Sequence, residues 1–223
     1  MGVVRVWRHH DTDHDGLIGD AFRARGFLMQ AELIDGANPP SSLEGVDILL
    51  ILGSSSSVYD PAVKAEWLDA EMATMGQAIA QGVPVFGICF GAQMLCEQFG
   101  GRVERAPEGE VGWFGLELEP TANFSPGPWF EYHFDHCLVP ETASVVARST
   151  RAVQAFTLGN HFGVQFHPEV DAAQLTDWFL HDEAARNGTI DAQAHIDAAA
   201  SSHDELVRNA DQLVGWFLAR LEG

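Results

Sequence analysis

The chain has 223 residues, 46% of them hydrophobic, and sets 12 basic side chains against 32 acidic ones for a formal net charge of −20. That length buries enough apolar surface to hold one core without disulfides or a structural metal, and three cysteines do not make a disulfide framework. The acidic surface argues against nucleic acid and anionic lipid as partners, and no run of roughly 20 apolar residues offers a membrane span. The opening MGVVRVWRHHDTDHDG has no apolar stretch after a basic one, so no signal peptide is read. With free thiols tolerated, a reducing cytoplasm is the expected compartment.

In chain order, VVRVW (3–7) reads as a β-branched strand. GLIGDAFRARGF (16–27) has helical spacing, with Leu17, Ala21, Phe22 and Ala24 apolar, and stops at Gly26. VDILLIL (46–52) is an apolar run of buried-strand length. A helix is predicted from Pro61, a good first-turn residue, to Gly82. VPVFGI (83–88) is another buried strand, and GAQMLCEQFGG a short helix ended by Gly100-Gly101. This alternation predicts an α/β fold with a mostly parallel sheet flanked by helices. From Arg102 to His167 the segments VGWFGLEL, WFEYHF, ASVVARS, AVQAF and HFGVQFH follow one another without helices. They predict either an antiparallel extension of the same sheet or a small second sheet. The chain is helical again from Asp171, with Leu206, Ala210, Leu213, Phe217 and Leu221 on one stripe. One domain over residues 1–223 is expected, with a helical C-terminal extension from about 186 to 223.

Cys89 lies between a predicted strand and a predicted helix in G-x-C-x-G form, with Gly87 and Gly91 flanking it. A cysteine taken at random is more often a small core residue. Small residues two before and two after force a tight turn, whose apex side chain projects from the sheet's carboxyl edge. The helix that follows points free N–H groups at the thiol, which favours the thiolate. The N–H of Phe90 is placed to donate to an oxyanion. Cys96 and Cys137 lack this context and read as structural. A thiol needs a base, and His167 ends an apolar strand in FGVQFHPEV. Glu169 is two residues on, so in extended chain both side chains leave on one face. Glu169 can then hold one imidazole nitrogen while the other faces Cys89, a Cys-His-Glu form of the nucleophile–base–orienter arrangement.

At these residues the sequence resembles the class I, triad-type glutamine amidotransferases. The resemblance runs over roughly residues 45–180, through VDILLILG, SVYD, GVPVFGICFGAQML, GGRVERAPEGEVGW, YHFD and GVQFHPEV. It implies a flavodoxin-like fold and a nucleophile at Cys89 that attacks a glutamine side-chain amide, with His167 and Glu169 completing the triad. It implies contact of Gln93 with the amino-acid end of the substrate, and of the backbone around Tyr132, His133 and Phe134 with the same end. No cofactor and no metal are expected. The family usually has Gly-Gly in the loop after the apolar run ILLIL, the second glycine's N–H being half of the oxyanion hole; here Gly53 is followed by Ser54. The Ser54 N–H is expected to keep that role beside Phe90.

The chain shows no P-loop and no segment for a synthetase domain, so either a separate synthetase subunit takes ammonia or the protein is a free-standing hydrolase of a small γ-glutamyl amide. A non-catalytic binding subunit and an esterase-like enzyme are the rival readings. HHDTDHDGLIGDAF (9–22) opens like a calcium loop at Asp11, Asp13, Asp15 and Gly16, but its twelfth position is Phe22 rather than glutamate. It is read as a polar loop rimming the pocket.

Overall fold

The computed structural model describes residues 1–222. β1 (Val3–Arg8), α1 (Gly16–Ala24), β2 (Leu28–Leu33) and β3 (Ile48–Ile51) come first. α2 (Pro61–Val63), a π-helical turn (Lys64–Leu68) and α3 (Asp69–Ala80) then run as one helical stretch. β4 (Val85–Ile88) and α4 (Phe90–Gln98) follow, then β5 (Arg102–Phe114), β6 (Glu117–Leu118), β7 (Trp129–Leu138), β8 (Ser144–Arg148), β9 (Val153–Leu158) and β10 (His161–Val164). The chain ends in α5 (Ala172–His181), α6 (Glu183–Arg186), α7 (Ala192–Ser201) and α8 (His203–Leu221).

The main sheet has eight strands in the order β2-β1-β3-β4-β10-β9-β8-β6. The pairs from β2 through β10 are parallel, and those from β10 to β6 antiparallel. The parallel part is the flavodoxin-like arrangement, in which ligands sit beyond the carboxyl ends of the strands. Both options read for 102–167 are realised: β9, β8 and β6 extend the sheet, while β5 and β7 pair as a separate ribbon.

Side chains alternate across the parallel strands and feed two cores. Val4, Val6, Leu50, Phe86 and Ile88 pack with α1 and α8, whereas Trp7, Leu49, Ile51 and Val85 pack with α3 and α4. On α8, Leu206, Ala210, Leu213 and Phe217 are buried, with Leu221 packed at the edge of the core.

Four sequence expectations are corrected. β2 was not foreseen, because LMQAEL lies at the sheet edge and is largely exposed. The helix from Pro61 is interrupted by the π-helical turn. Residues 111–118 do not form one strand but the end of β5 plus the short β6. HFGVQFH stops being a strand at Val164; His167 returns only as an isolated antiparallel bridge to Phe130.

Candidate active site

Cys89 is the only non-glycine residue with positive φ among the described residues, at φ 49° and ψ −100°. Such backbone strain persists only where the surroundings hold it. Here they do: the Cys89 N–H donates to the Val164 carbonyl at 2.7 Å, tying the turn between β4 and α4 to the end of β10. The flanking glycines are required by space. A Cβ on Gly87 would lie 2.4 Å from the backbone of Gly91, and one on Gly91 would lie 2.4 Å from the Ile51 carbonyl oxygen. Cys89 is the N-cap of α4, so Phe90 heads the first turn and its N–H belongs to the free amides that face the thiol.

His167 Nδ1 and Glu169 Oε1 are 2.8 Å apart. The two meet through a turn at Pro168-Glu169, not across an extended segment as the spacing suggested. That turn is docked on α1, whose Leu17 N–H donates to the Glu169 carbonyl at 3.0 Å. Burial works to lower the His167 pKa, but Glu169 and the adjacent Cys89 outweigh it and hold the pKa well above the ordinary histidine value. The indole of Trp178 stands edge-on to the imidazole at 4.9 Å. Its Nε1 donates to Asp13 Oδ1 at 3.1 Å. The loop between β1 and α1 therefore reaches the site through Trp178. Its carboxylates have other protein partners: Asp15 binds Arg23 at 2.7 Å and Asp11 faces Arg8 at 3.7 Å.

Gly53 and Ser54 follow β3. A Cβ on Gly53 would be 3.0 Å from His167 Cε1, so a side chain there would press on the imidazole. Ser54 needs no left-handed backbone, and its hydroxyl accepts the Ser56 N–H at 3.1 Å within its own loop. The far end of this loop is fastened to the ribbon: Ser57 Oγ and Tyr59 OH donate to the Asp135 carboxylate at 2.5 and 2.8 Å.

The four residues expected at the substrate's amino-acid end are not alike. Gln93 is buried in the first turns of α4, and its amide donates to Gln165 Oε1 at 3.4 Å. Gln165 in turn donates to Cys89 Sγ at 3.4 Å. Sequence reasoning assigned Gln165 no role, although it stands two residues before His167 in the same motif. Tyr132 is turned away, its hydroxyl donating to Asp182 at 2.5 Å, and burial and that carboxylate raise its pKa. His133 lies in the ribbon with Nε2 3.3 Å from both Glu110 and Glu131. Phe134 is 43% exposed beneath the Arg105 guanidinium. The side chains of Tyr132 and His133 are thus committed within the protein, leaving main chain and the part-exposed Phe134 ring as what this segment can offer a ligand.

The family pattern described as glutamine amidotransferase class-I matches residues 18–186, spanning the elbow, the ribbon and the His167–Glu169 turn. The chain belongs to the class I glutamine amidotransferase family. It is 37% identical over 123 residues to the glutamine-hydrolyzing GMP synthase of Rhizobium johnstonii, covering 48% of this chain and 24% of that protein. Over 164 residues it is 35% identical to the GMP synthase of Crocosphaera subtropica, covering 67% and 28%. The amidotransferase chain thus spans about a quarter of the length of the curated relatives it matches. A glutamine amidotransferase from Thermotoga maritima shares the fold with a TM-score of 0.87 at 24% identity, covering 100% of this chain and 99% of that one.

Proposed function

We propose that this amidotransferase hydrolyses the side-chain amide of glutamine, or of another γ-glutamyl amide, through a thioester on Cys89. The observation that carries the reading is the strained elbow cysteine in contact with a buried His167–Glu169 pair. Cys89 Sγ attacks the γ-carbonyl carbon as His167 takes the thiol proton. The tetrahedral oxyanion is held by the N–H groups of Phe90 and Ser54. The C–N bond breaks, His167 hands its proton to the departing amine, and a γ-glutamyl thioester remains. His167 then takes a proton from water, which attacks the thioester, and the collapse returns glutamate and the free thiol. Glu169 keeps Nδ1 engaged so that the other nitrogen faces the reacting atoms. Gln93 and the main chain of residues 132–134 bind the amino-acid end. No cofactor or metal enters this chemistry.

Residues 1–223 are read as one domain acting in a reducing compartment, in keeping with three free thiols and with no helix among the described residues long and apolar enough to cross a membrane. We assign the released ammonia to a synthetase, because the curated relatives that the chain matches are named as glutamine-hydrolyzing GMP synthases. A free-standing hydrolase differs in one respect: it turns over γ-glutamyl amines at least as well as glutamine.

The test is glutamate release from glutamine and a panel of γ-glutamyl amides. Cys89→Ala is expected to lose several orders of magnitude, since no nearby group replaces a covalent nucleophile. Cys96→Ala and Cys137→Ala are expected to keep most of the activity. Full activity in Cys89→Ala would end the thioester reading, and binding of glutamine without release by the wild type would make the chain a binding subunit.

A further inference from the structure

Directly after β1, and outside the chemistry described so far, lies a buried ion pair. His9 Nδ1 is 2.8 Å from the Gly53 carbonyl oxygen, and Nε2 is 3.1 and 3.3 Å from the two carboxylate oxygens of Glu71 on α3. The side chains are 2% and 0% exposed. We infer that His9, backed by Glu71, is a positioning residue for the oxyanion hole: it grips the carbonyl of Gly53 and so aims the N–H of Ser54. The inference rests on the thioester reading and names how its second oxyanion donor is held.

The Gly53 carbonyl and the Ser54 N–H belong to one peptide unit. That unit is planar and trans, so its C=O and N–H point in opposite directions, and fixing the oxygen fixes the hydrogen. Glycine at 53 makes this necessary, because a residue without Cβ lets the peptide rotate with little steric resistance. A carbonyl oxygen only accepts, so Nδ1 carries the proton there. Nε2 faces the Glu71 carboxylate, which favours a proton on that nitrogen too. Burial opposes the charged ring, but Glu71 outweighs it and raises the His9 pKa. An imidazolium on the carbonyl polarises the whole peptide and makes its N–H a stronger donor.

The surroundings keep the ring in place. Trp67, in the π-helical turn, lies 5.2 Å from it, and Phe90, which carries the other oxyanion N–H, lies 5.0 Å away edge-on. Trp67 and Glu71 are four residues apart and both touch His9, so the helical stretch closes over the imidazole from one side. Buried ion pairs are poor sources of stability, and apolar residues of similar size often serve as well or better. The hydrogen bond to Gly53 is what an apolar replacement would lack.

Three variants test this with γ-glutamyl amide turnover and with alkylation of Cys89 by iodoacetamide, which needs the nucleophile but no oxyanion hole. His9→Leu removes the donor; kcat is expected to fall about a hundredfold, as when one oxyanion donor is lost, with KM within about threefold. Its alkylation rate is expected to stay near wild type. His9→Asn places an amide N–H near the position of Nδ1 and is expected to recover most of the loss. Glu71→Gln, which keeps the shape and removes the charge, is expected to lose about tenfold in kcat, the scale of one weakened charge-assisted hydrogen bond. It also keeps the test open should His9→Leu not fold. An active wild type with His9→Leu and Glu71→Gln both unchanged would overturn the inference and leave the thioester reading standing. Equal losses in folded His9→Leu and His9→Asn, or parallel loss of alkylation, would reduce His9 to a packing residue. A wild type that alkylates at Cys89 but turns over no γ-glutamyl amide would overturn both together.

Discussion

His133 and His167 are both buried against carboxylates, and Cys89 is close enough to raise the pKa of each. They differ in what their nitrogens have left to do. His133 is enclosed by protein: Nδ1 donates to the Asp135 carbonyl at 2.9 Å, and Nε2 is buried 3.3 Å from Glu110 and Glu131 without a hydrogen bond to either. His167 commits Nδ1 to Glu169 and keeps the other nitrogen for the thiol. Burial, a carboxylate partner and a nearby cysteine therefore do not mark a base. In the proposed reaction a free nitrogen on the reacting side does, and there the turn histidine serves the elbow while the ribbon histidine on β7 faces Glu110 on β5.

Substitution at each histidine is the strongest way to break this contrast. His167→Ala is expected to lower kcat by about a thousandfold, within the range that general acid–base groups contribute. His133→Asn is expected to stay within about tenfold if the protein folds, since in this reading it touches no reacting atom. Steady-state glutamate release, with circular dichroism to confirm the fold, decides it. A His133→Asn loss equal to that of His167→Ala would give the ribbon histidine a part in the reaction.

The loop after β3 offers the next largest effect. Its serine hydroxyl accepts the Ser56 N–H, which holds the side chain within its own loop, while a backbone N–H is fixed by the turn and is the better preorganised donor. Ser54→Ala and Ser54→Gly are expected to keep kcat within about tenfold, and Ser54→Pro, which deletes the N–H, to lose roughly a hundredfold. A folded Ser54→Ala as poor as Ser54→Pro would make the hydroxyl a working group and point away from glutamine as substrate.

The elbow was legible in sequence because its glycines answer a local steric demand: Gly87 and Gly91 have no room for a Cβ. The parallel half of the sheet was legible because its strands are continuous apolar runs, buried on both faces. β2 was not, because an edge strand needs little apolar surface. The His167–Glu169 contact was foreseen, but by the wrong geometry: the spacing of two fits an extended chain, and the structure makes it with a turn. The His9–Glu71 pair could not be read at all. Its members are 62 residues apart, and only the juxtaposition of β1, β3 and α3 brings them to Gly53. Gln165 stood inside a motif already singled out, but its contact with Cys89 depends on β10 lying beside β4.

The smallest effect expected is on stability, and it separates the two histidines by pH. Next to Glu110 and Glu131, the His133 pKa is raised to about 10 although burial acts the other way. The folded state thus holds a proton that the unfolded chain releases near pH 6.5. Stability from this group is fully present below pH 6.5 and is lost as pH climbs towards 10. Glu131 adds to the same trend. Burial lifts its pKa to about 7, against the pull of His133, so folding loses ground as pH rises from the ordinary carboxylate range to 7. Neither Glu131 oxygen has a hydrogen-bond partner, so Glu131→Gln keeps the shape and removes only the charge. This variant abolishes the Glu131 titration and leaves His133 with Glu110 alone. Its melting temperature is expected to fall less steeply than wild type between pH 5 and 10. The curves should diverge by several degrees, given about 2–4 °C per kcal/mol for a chain of this size. Calorimetry across that range measures it. Parallel curves for the two proteins would mean that the ribbon cluster does not carry the charge assigned to it, and the distinction between an enclosed and a free histidine would then rest on the kinetic variants alone.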